Sequence, residues 1–243
     1  MKKIYLLLVA LCGILASCQD DLPYREPNPA DTEILLKKMV IIPADGTQQT
    51  IQYGYDGEKL QSVMYSDGRS ETYNYTNNLL TEVRYYSNGG LVKKETYFYG
   101  DGNFVGYSAN NYNLQNPANN FTQRFEYVTN GNTVTINEFR GDETSQNDLF
   151  QVKTLNIVNG NIKEVAVTGS STQYLFDYKN APFKNMDSYS ILMLTRFEGG
   201  INNQIGRNVN GTITNIAYTY TVDEFPATAT ATGAQNYTVT YTY

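Results

Sequence analysis

The sequence of 243 residues contains no histidine, no tryptophan and only two cysteines. Without histidine, a Ser-His-Asp or Cys-His catalytic arrangement is excluded, and the commonest transition-metal ligand is missing. Basic residues are also scarce, because 18 Lys and Arg stand against 24 Asp and Glu, for a net charge of −6. Nucleic-acid-binding proteins neutralise phosphates with clustered Lys and Arg, and the sequence has no such cluster, so no nucleic-acid partner is expected.

The chain is rich in aromatic residues, with 22 Tyr and 10 Phe, and its turn residues are regularly spaced. Tyr is typical of strands, because its ring packs while its hydroxyl reaches water. Turn pairs recur every 10 to 13 residues at Asp45-Gly46, Asp56-Gly57, Asp67-Gly68, Asn77-Asn78, Asn88-Gly89 and Asp101-Gly102. Such pairs tolerate the positive φ angles of hairpin turns. The pattern therefore predicts an antiparallel β-meander.

The strand pattern continues to the end of the chain and predicts an all-β, antiparallel β-meander of about fifteen strands, barrel-like or an extended sheet. Two segments interrupt it. Residues 107–120 are Asn-rich and predict a long loop, and residues 180–211 predict a second irregular region. Within the latter, the apolar residues 188–197 predict one short helix. We expect a single β-meander domain over residues 34–243.

The N-terminus has the pattern of a signal peptide, with a basic start at residues 1–3 and an apolar run at 4–15. Leu15-Ala16-Ser17-Cys18 resembles the bacterial lipobox, which predicts a lipoprotein signal peptide at 1–17 and lipid attachment at Cys18. Residues 18–33 then form a lipidated, Pro-rich tether. Two acyl chains on one Cys suffice for stable anchoring. The alternative is an ordinary secretory signal that leaves Cys18 as a free thiol.

The residues after Cys18 predict where the protein is delivered. Gln19-Asp20-Asp21 resembles the short acidic export signal of Bacteroidota-type lipoproteins that are carried to the outer face of the outer membrane. The alternative is a solvated acidic tether. The expected location is the outer membrane, with a lipid anchor and exposure at the cell surface.

Several Tyr-rich motifs carry a family resemblance. The run from Tyr53 to Leu60 (YGYDGEKL) resembles a YD-type repeat, and related motifs follow at 176–185 and 218–226. With the lipobox, they resemble a Bacteroidota outer-membrane lipoprotein family of unknown function with a porin-like β-meander fold. The resemblance implies a fold and a cell-envelope location, and it brings no catalytic residues.

An outer-membrane barrel is an alternative, since some strands are long enough to cross a membrane and a terminal aromatic such as Tyr243 resembles the barrel-assembly signal. However, charged side chains lie in the middle of two predicted strands: Glu82, Arg84, Lys93, Lys94 and Glu95. A Lys or Arg at the lipid midplane costs about 2–4 kcal/mol. The charges favour a lipid-tethered domain in water.

The candidate ligand-binding residues are rows of tyrosines that could stack on sugar rings: Tyr53, Tyr55, Tyr73, Tyr75, Tyr97 and Tyr99. The alternative is that they form cross-strand packing. The Asp-Gly pairs lack the connected ligand pattern of a calcium loop, so no metal site is predicted. A glycoside hydrolase would need two carboxylates at a defined separation, and the sequence nominates no pair. No catalytic residue and no cofactor are expected.

Taken together, these features predict a monomeric, surface-tethered lipoprotein that acts as a non-enzymatic binding or structural module of the bacterial outer envelope. Two versions stay open: capture of a glycan or peptide on a Tyr-lined face, and docking of an envelope protein at a sheet edge or at the Asn-rich loop. The membrane is a partner through the N-terminal lipid anchor.

Overall fold

The computed structural model describes residues 34–243. The predicted signal peptide, Cys18 and the tether lie outside the described residues. From residue 34 on, the chain forms sixteen strands, one α-helix and a short 3-10 helix at Pro117–Asn119. The elements are β1 (Lys38–Pro43), β2 (Gln49–Asp56), β3 (Lys59–Tyr65), β4 (Arg69–Thr76), β5 (Leu79–Ser87), β6 (Gly90–Gly100), β7 (Asn103–Asn111), β8 (Phe121–Asn130), β9 (Thr133–Gly141), β10 (Asp148–Val158), β11 (Asn161–Val167), β12 (Ser170–Asn180), α1 (Tyr189–Arg196), β13 (Asn202–Val209), β14 (Thr212–Tyr220), β15 (Pro226–Gly233) and β16 (Tyr237–Thr242).

The strands form one closed antiparallel barrel. Each strand pairs with its neighbour in sequence, and β1 pairs with β16 to complete the ring. The closing register sets Lys38 opposite Thr242 and Pro43 opposite Tyr237. Closure provides partners for the strand edges that an extended sheet would leave open. The predicted all-β meander with one short helix is confirmed, and the sheet is a barrel.

The hairpins turn where the sequence predicts, for the expected conformational reason. Asn77 and Asn78 have φ angles of 51° and 65°, and Asp101 and Gly102 have 51° and 80°. A type I′ turn needs positive φ at both central residues, a conformation that Asn, Asp and Gly adopt at low cost.

Side chains alternate between a packed lumen and an outer face that mixes polar residues with exposed apolar ones such as Val128 and Leu175. In β15 and β16, Ala229, Ala231 and Val239 are buried toward the lumen. Their sequence neighbours on the outside are exposed threonines: Thr228, Thr230, Thr232, Thr238, Thr240 and Thr242. The hydrophobic core of this barrel is therefore its lumen.

Two predicted irregular regions contain more strand than expected. Residues 107–111, assigned to the Asn-rich loop, complete β7, where Tyr107 and Ala109 are buried and Asn111 pairs with Phe121. Residues 202–209, assigned to the second irregular region, form β13. Both regions were predicted too long for one reason: Asn is depleted in strands, but in these strands barrel pairing outweighs that local preference. Residues 112–120 and 181–201 lie between strands, as predicted.

The segment between β12 and β13 enters the barrel and plugs it. Leu192 and Met193 of α1 belong to the same buried cluster as the strand residues Val83 and Ile136. Further contacts tie this segment to the wall, because the Tyr127 hydroxyl donates to the Leu194 carbonyl at 3.4 Å. The plug therefore fills one side of the lumen.

The two barrel rims differ in what they carry. The N-terminal rim holds the start of β1, the β2–β3 turn and the plug, since Asp187 N–H donates to the Glu58 carbonyl and the Asn185 side chain donates to the Ile34 carbonyl, at 2.9 and 3.2 Å. The opposite rim carries the β15–β16 turn and the 112–120 loop, because antiparallel neighbours place successive turns at alternate ends.

Candidate ligand cavity in the barrel lumen

A cavity of about 580 Å³ lies inside the barrel, between the plug and one part of the wall. The wall residues come from β1–β4, β13, β14 and β16, and the plug contributes residues from Ala181 to Gly200. Gln235, in the exposed β15–β16 turn, also borders the cavity, which places an edge of it at the opposite rim. The volume lies within the roughly 300–1,000 Å³ of small-molecule sites.

The six tyrosines nominated from the sequence all belong to the lumen, but only Tyr53 and Tyr73 border the cavity. The other four pack in the core without lining the cavity. The Tyr55 hydroxyl donates to the Leu36 carbonyl at 3.0 Å, and the Tyr99 hydroxyl donates to the Leu80 carbonyl at 2.7 Å. The structure therefore brings two of the six together at a cavity. Of the rest, Tyr55, Tyr97 and Tyr99 have hydrogen-bond partners within the core, whereas the buried Tyr75 hydroxyl has no partner at normal hydrogen-bond geometry among residues 34–243.

Glu71 is a buried carboxylate at the cavity wall, where it joins β4 to the plug. It accepts a hydrogen bond from the Tyr65 hydroxyl at 2.7 Å and another from Tyr73. Arg196, in the last turn of α1, pairs with it at 3.2 Å. Burial and the neighbouring Glu71 charge raise the pKa of Tyr65 and Tyr73, so both phenols stay protonated donors.

Glu95 forms a second cluster of the same kind on β6. It accepts from Tyr85 and Tyr97 at 2.7 Å each and pairs with Lys93 at 2.8 Å. Burial disfavours its charge, but the charges of Lys93 and Arg196 and these hydrogen bonds outweigh burial and hold the pKa of Glu95 below its ordinary value. Arg196 thus lies in the field of two acidic groups.

A repeated sequence motif underlies both carboxylate clusters. Glu71-Thr-Tyr73-x-Tyr75 on β4 recurs as Glu95-Thr-Tyr97-x-Tyr99 on β6. Period-2 alternation puts all three residues of each copy on one face. A repeated acid on the face that carries the tyrosines indicates a buried carboxylate held by phenols.

A third acid, Glu138 on β9, is 2% exposed and lies away from the cavity. It accepts from Gln123 and Lys153 at 2.7 Å each and from Arg140 at 3.1 Å. Burial raises the pKa of this carboxyl, and the hydrogen bonds and the Lys153 charge more than compensate, so the pKa is lowered. Both carboxylate oxygens of Glu138 therefore have partners, and the residue stabilises the barrel wall.

The β13 side of the cavity has polar groups without such pairing. Asn203 is 1% exposed, and its side chain lies near the Tyr220 hydroxyl. Within residues 34–243, however, neither its amide nitrogen nor its amide oxygen makes a hydrogen bond of normal geometry. The Nε of Arg207 is buried and likewise unpartnered over the same residues. A buried polar atom left without a partner costs about 1–3 kcal/mol. Sequence reasoning missed both residues because β13 was assigned to an irregular region.

Tyrosines of β14 and β16 complete this side of the cavity. Burial raises the pKa of Tyr218 and Tyr241, so both are neutral at physiological pH. The Tyr218 hydroxyl donates to the Gln204 carbonyl at 3.0 Å. Phenols, amides and a guanidinium around one volume supply donors, acceptors and ring faces for a polar ligand.

The described chain offers no arrangement for metal chemistry, since residues 34–243 hold no group of three or more His, Cys, Asp or Glu placed around a common point. No helix within the same residues has the length and apolar character needed to cross a membrane.

Two solved structures resemble this fold. A porin-like protein from Bacteroides vulgatus ATCC 8482 superposes with a TM-score of 0.56 at 16% identity, covering 87% of this chain and 99% of that one. A porin-like protein from Bacteroides uniformis ATCC 8492 has a TM-score of 0.51 at 14% identity, covering 85% and 97%. No protein-family model matches the sequence, and no curated protein matches it significantly. The chain therefore has the fold of these porin-like Bacteroides proteins over most of its length.

Proposed function

We propose that the protein is a monomeric, lipid-tethered, non-enzymatic binding module of the bacterial outer envelope, and that its ligand is a small polar molecule held in the lumen cavity. The observation that carries the proposal is the unpartnered amide of Asn203 beside a cavity of about 580 Å³. A buried amide without a partner is a cost to the fold that a bound ligand would remove.

The outer face of the barrel supports a position in water rather than in lipid. The threonine rows of β15 and β16 are exposed, and the pair of Arg84 and Glu82 lies on the outside of β5 at 2.8 Å. A membrane barrel places an uncharged apolar band outside and polar groups inside. The outer face of this barrel carries exposed apolar side chains such as Leu175 and Ile213, but the threonine rows and the Arg84–Glu82 pair interrupt any uncharged band. We therefore expect the barrel to need an anchor to stay at a membrane, and Cys18 would supply one.

The two rims suggest how the tethered protein is oriented. The tether joins the N-terminal rim, where the plug also enters, and the cavity reaches the opposite rim at Gln235. The plug closes the membrane-facing end, and the cavity faces away from the membrane. The arrangement suits capture of a ligand from the surroundings of the cell.

The anchor and location are tested in cells. Wild-type protein should incorporate radiolabelled palmitate and be removed from intact cells by added protease, whereas Cys18→Ala should be unlabelled and leave the membrane fraction. Labelling of Cys18→Ala, or full protection of the wild type from protease, would contradict the location. A periplasmic marker protein controls for cell lysis.

Ligand binding is tested with Asn203→Leu, which has nearly the same volume and no polar atoms. If the amide is kept for binding, the variant should unfold at a higher temperature than wild type and bind a glycan-array hit at least roughly tenfold more weakly. Thr230→Val, on the outer face, is the matched control and should change neither. A glycan array without hits at millimolar ligand would argue strongly against the glycan version.

The loop at the opposite rim supports a second candidate, docking of an envelope protein. Leu114 in this loop and Phe121 at the start of β8 are 57% and 42% exposed and border a shallow pocket of about 430 Å³. Exposed apolar side chains around a depression are typical of docking surfaces. Pull-down from envelope extracts with wild type and with Leu114→Ser should yield one dominant partner that only the wild type retains.

A further inference from the structure

The guanidinium of Arg207 is the cationic group of the cavity that, across the described part of the chain, lacks a counter-ion in contact. Arg207 lies opposite Tyr174 in the pairing of β12 and β13, so the two side chains are neighbours on the lumen side. Within residues 34–243, no carboxylate lies within 4 Å of Arg207, and its Nε is buried without a partner. The other cavity arginine, Arg196, is paired with Glu71. Arg207 is therefore the cation available to an incoming anion.

One acid does share the same part of the cavity. Burial raises the pKa of Tyr237, the Glu198 charge raises it further, and Arg207 lowers it. Glu198 and Arg207 therefore both act on one phenol without contacting each other. A ligand that enters between them meets a cation on the wall and a carboxylate on the plug, which can accept hydrogen bonds from hydroxyl groups.

The remaining polar groups match hydroxyl-rich ligands rather than a second charge. Asn203 offers one acceptor and two donor positions. The Tyr218 hydroxyl, which donates to the Gln204 carbonyl, can accept, and the Tyr241 hydroxyl can donate and accept. Asn203 lies four positions before Arg207 on β13, and a bulge between Gln204 and Gly206 shortens the span to about 10 Å along the strand. This span exceeds a single sugar ring.

From this arrangement we infer that the cavity takes an acidic saccharide of at least two sugar units, whose carboxylate is bound by Arg207 and whose hydroxyl groups are bound by Asn203 and the neighbouring phenols. Arg matches a carboxylate through two parallel hydrogen bonds, one of them from the Nε that is unpartnered here. The inference rests on the proposed function, because it names the ligand class of the same cavity.

The test is calorimetric titration of the protein with pairs of disaccharides of the same linkage, one containing a uronic acid and the other its neutral hexose counterpart. Loss of a charge-assisted hydrogen bond corresponds to a weakening of roughly tenfold or more, so the acidic member of at least one pair should bind at least roughly tenfold more tightly. Arg207→Gln should remove this preference. Arg207→Lys keeps the positive charge but cannot form the two parallel hydrogen bonds of a guanidinium, so it should retain part of the preference. Arg84→Gln, the same change on the outer face, should leave it unchanged.

The outcomes separate this inference from the proposed function. Equal binding of the acidic and neutral members would overturn the acidic ligand and leave a saccharide-binding cavity standing. A preference that survives in Arg207→Gln would overturn the role of Arg207. Binding of no disaccharide at millimolar concentration would overturn the inference together with the glycan version of the function. Circular dichroism of each variant shows whether it is folded, and Arg207→Lys keeps the test decisive if Arg207→Gln does not fold.

Discussion

Replacing Arg196 by methionine should loosen the plug, because Arg196 is the ionic contact between α1 and the barrel wall at Glu71. The pair distance is 3.2 Å, and Glu71 is only 7% exposed. Removal of one partner from a fully buried pair costs about 3–5 kcal/mol. The barrel wall encloses Arg196, but 39% of its side-chain surface contacts the water-accessible cavity, which screens the pair. The two remaining phenol donors further stabilise Glu71.

We therefore expect Arg196→Met to lower the free energy of unfolding by about 1–2 kcal/mol. For a domain of this size, such a loss corresponds to a Tm lower by about 2–8 °C. The measurement is a double-mutant cycle of Arg196→Met and Glu71→Gln, followed by urea unfolding. The sum of the two single losses in the free energy of unfolding should exceed the loss in the double variant by about 1 kcal/mol, since either change breaks the same contact.

Additivity within about 0.5 kcal/mol would refute this reasoning and leave Arg196 as a solvated side chain in the cavity. The matched control is Arg84→Met, which removes an outward-facing pair with Glu82. This exposed pair lies in water, so its removal should leave the Tm unchanged.

Three further predictions concern acid stability, a close backbone approach and the plug core. Since the folded-state pKa of Glu95 lies below its ordinary value of 4.5, its charge contributes stability above that pH, and this stability is lost as the pH falls through the lower folded value. Thermal unfolding should thus show a smaller decline below pH 4.5 in Glu95→Gln than in wild type, and equal slopes would contradict this. In Gly106→Ala the new Cβ would lie 2.2 Å from the Phe125 carbonyl oxygen, so urea unfolding should show a loss of about 3 kcal/mol or more, against about 1 kcal/mol for Gly102→Ala, which faces open space at φ 80°. Leu192→Ala should cost about 2–4 kcal/mol, because this α1 side chain is 6% exposed in the core, and a loss below 1 kcal/mol would show that the plug packs loosely.

The hairpin series was predictable because its determinants are local. Turn pairs such as Asn77-Asn78 and Asp101-Gly102 adopt positive φ in the structure, as the sequence pattern requires. The short helix was also predictable, since the apolar run at 188–197 contains the observed α1. Strand β13 was not, because its Asn-rich sequence disfavours a strand when its neighbours are ignored.

The candidate site was predictable only in part. The tyrosine rows were identified from their alternation, and Tyr53 and Tyr73 do border the cavity. Asn203 and Arg207 could not be nominated, because an isolated Asn or Arg in a sequence gives no sign that its partners are missing. Only packing decides which polar atoms are left unpaired.

The sequence by itself determined the repeated hairpins, the side-chain alternation and the N-terminal lipidation motif, all of which are read from residues close together along the chain. The tertiary structure decided that the sheet closes, because the pairing of β1 with β16 joins residues about two hundred positions apart, such as Lys38 and Thr242. It also decided that the tyrosines face inward, since alternation defines two faces but closure determines which face becomes the lumen. The plug and the cavity follow from that closure, because only a closed lumen can enclose α1 on all sides.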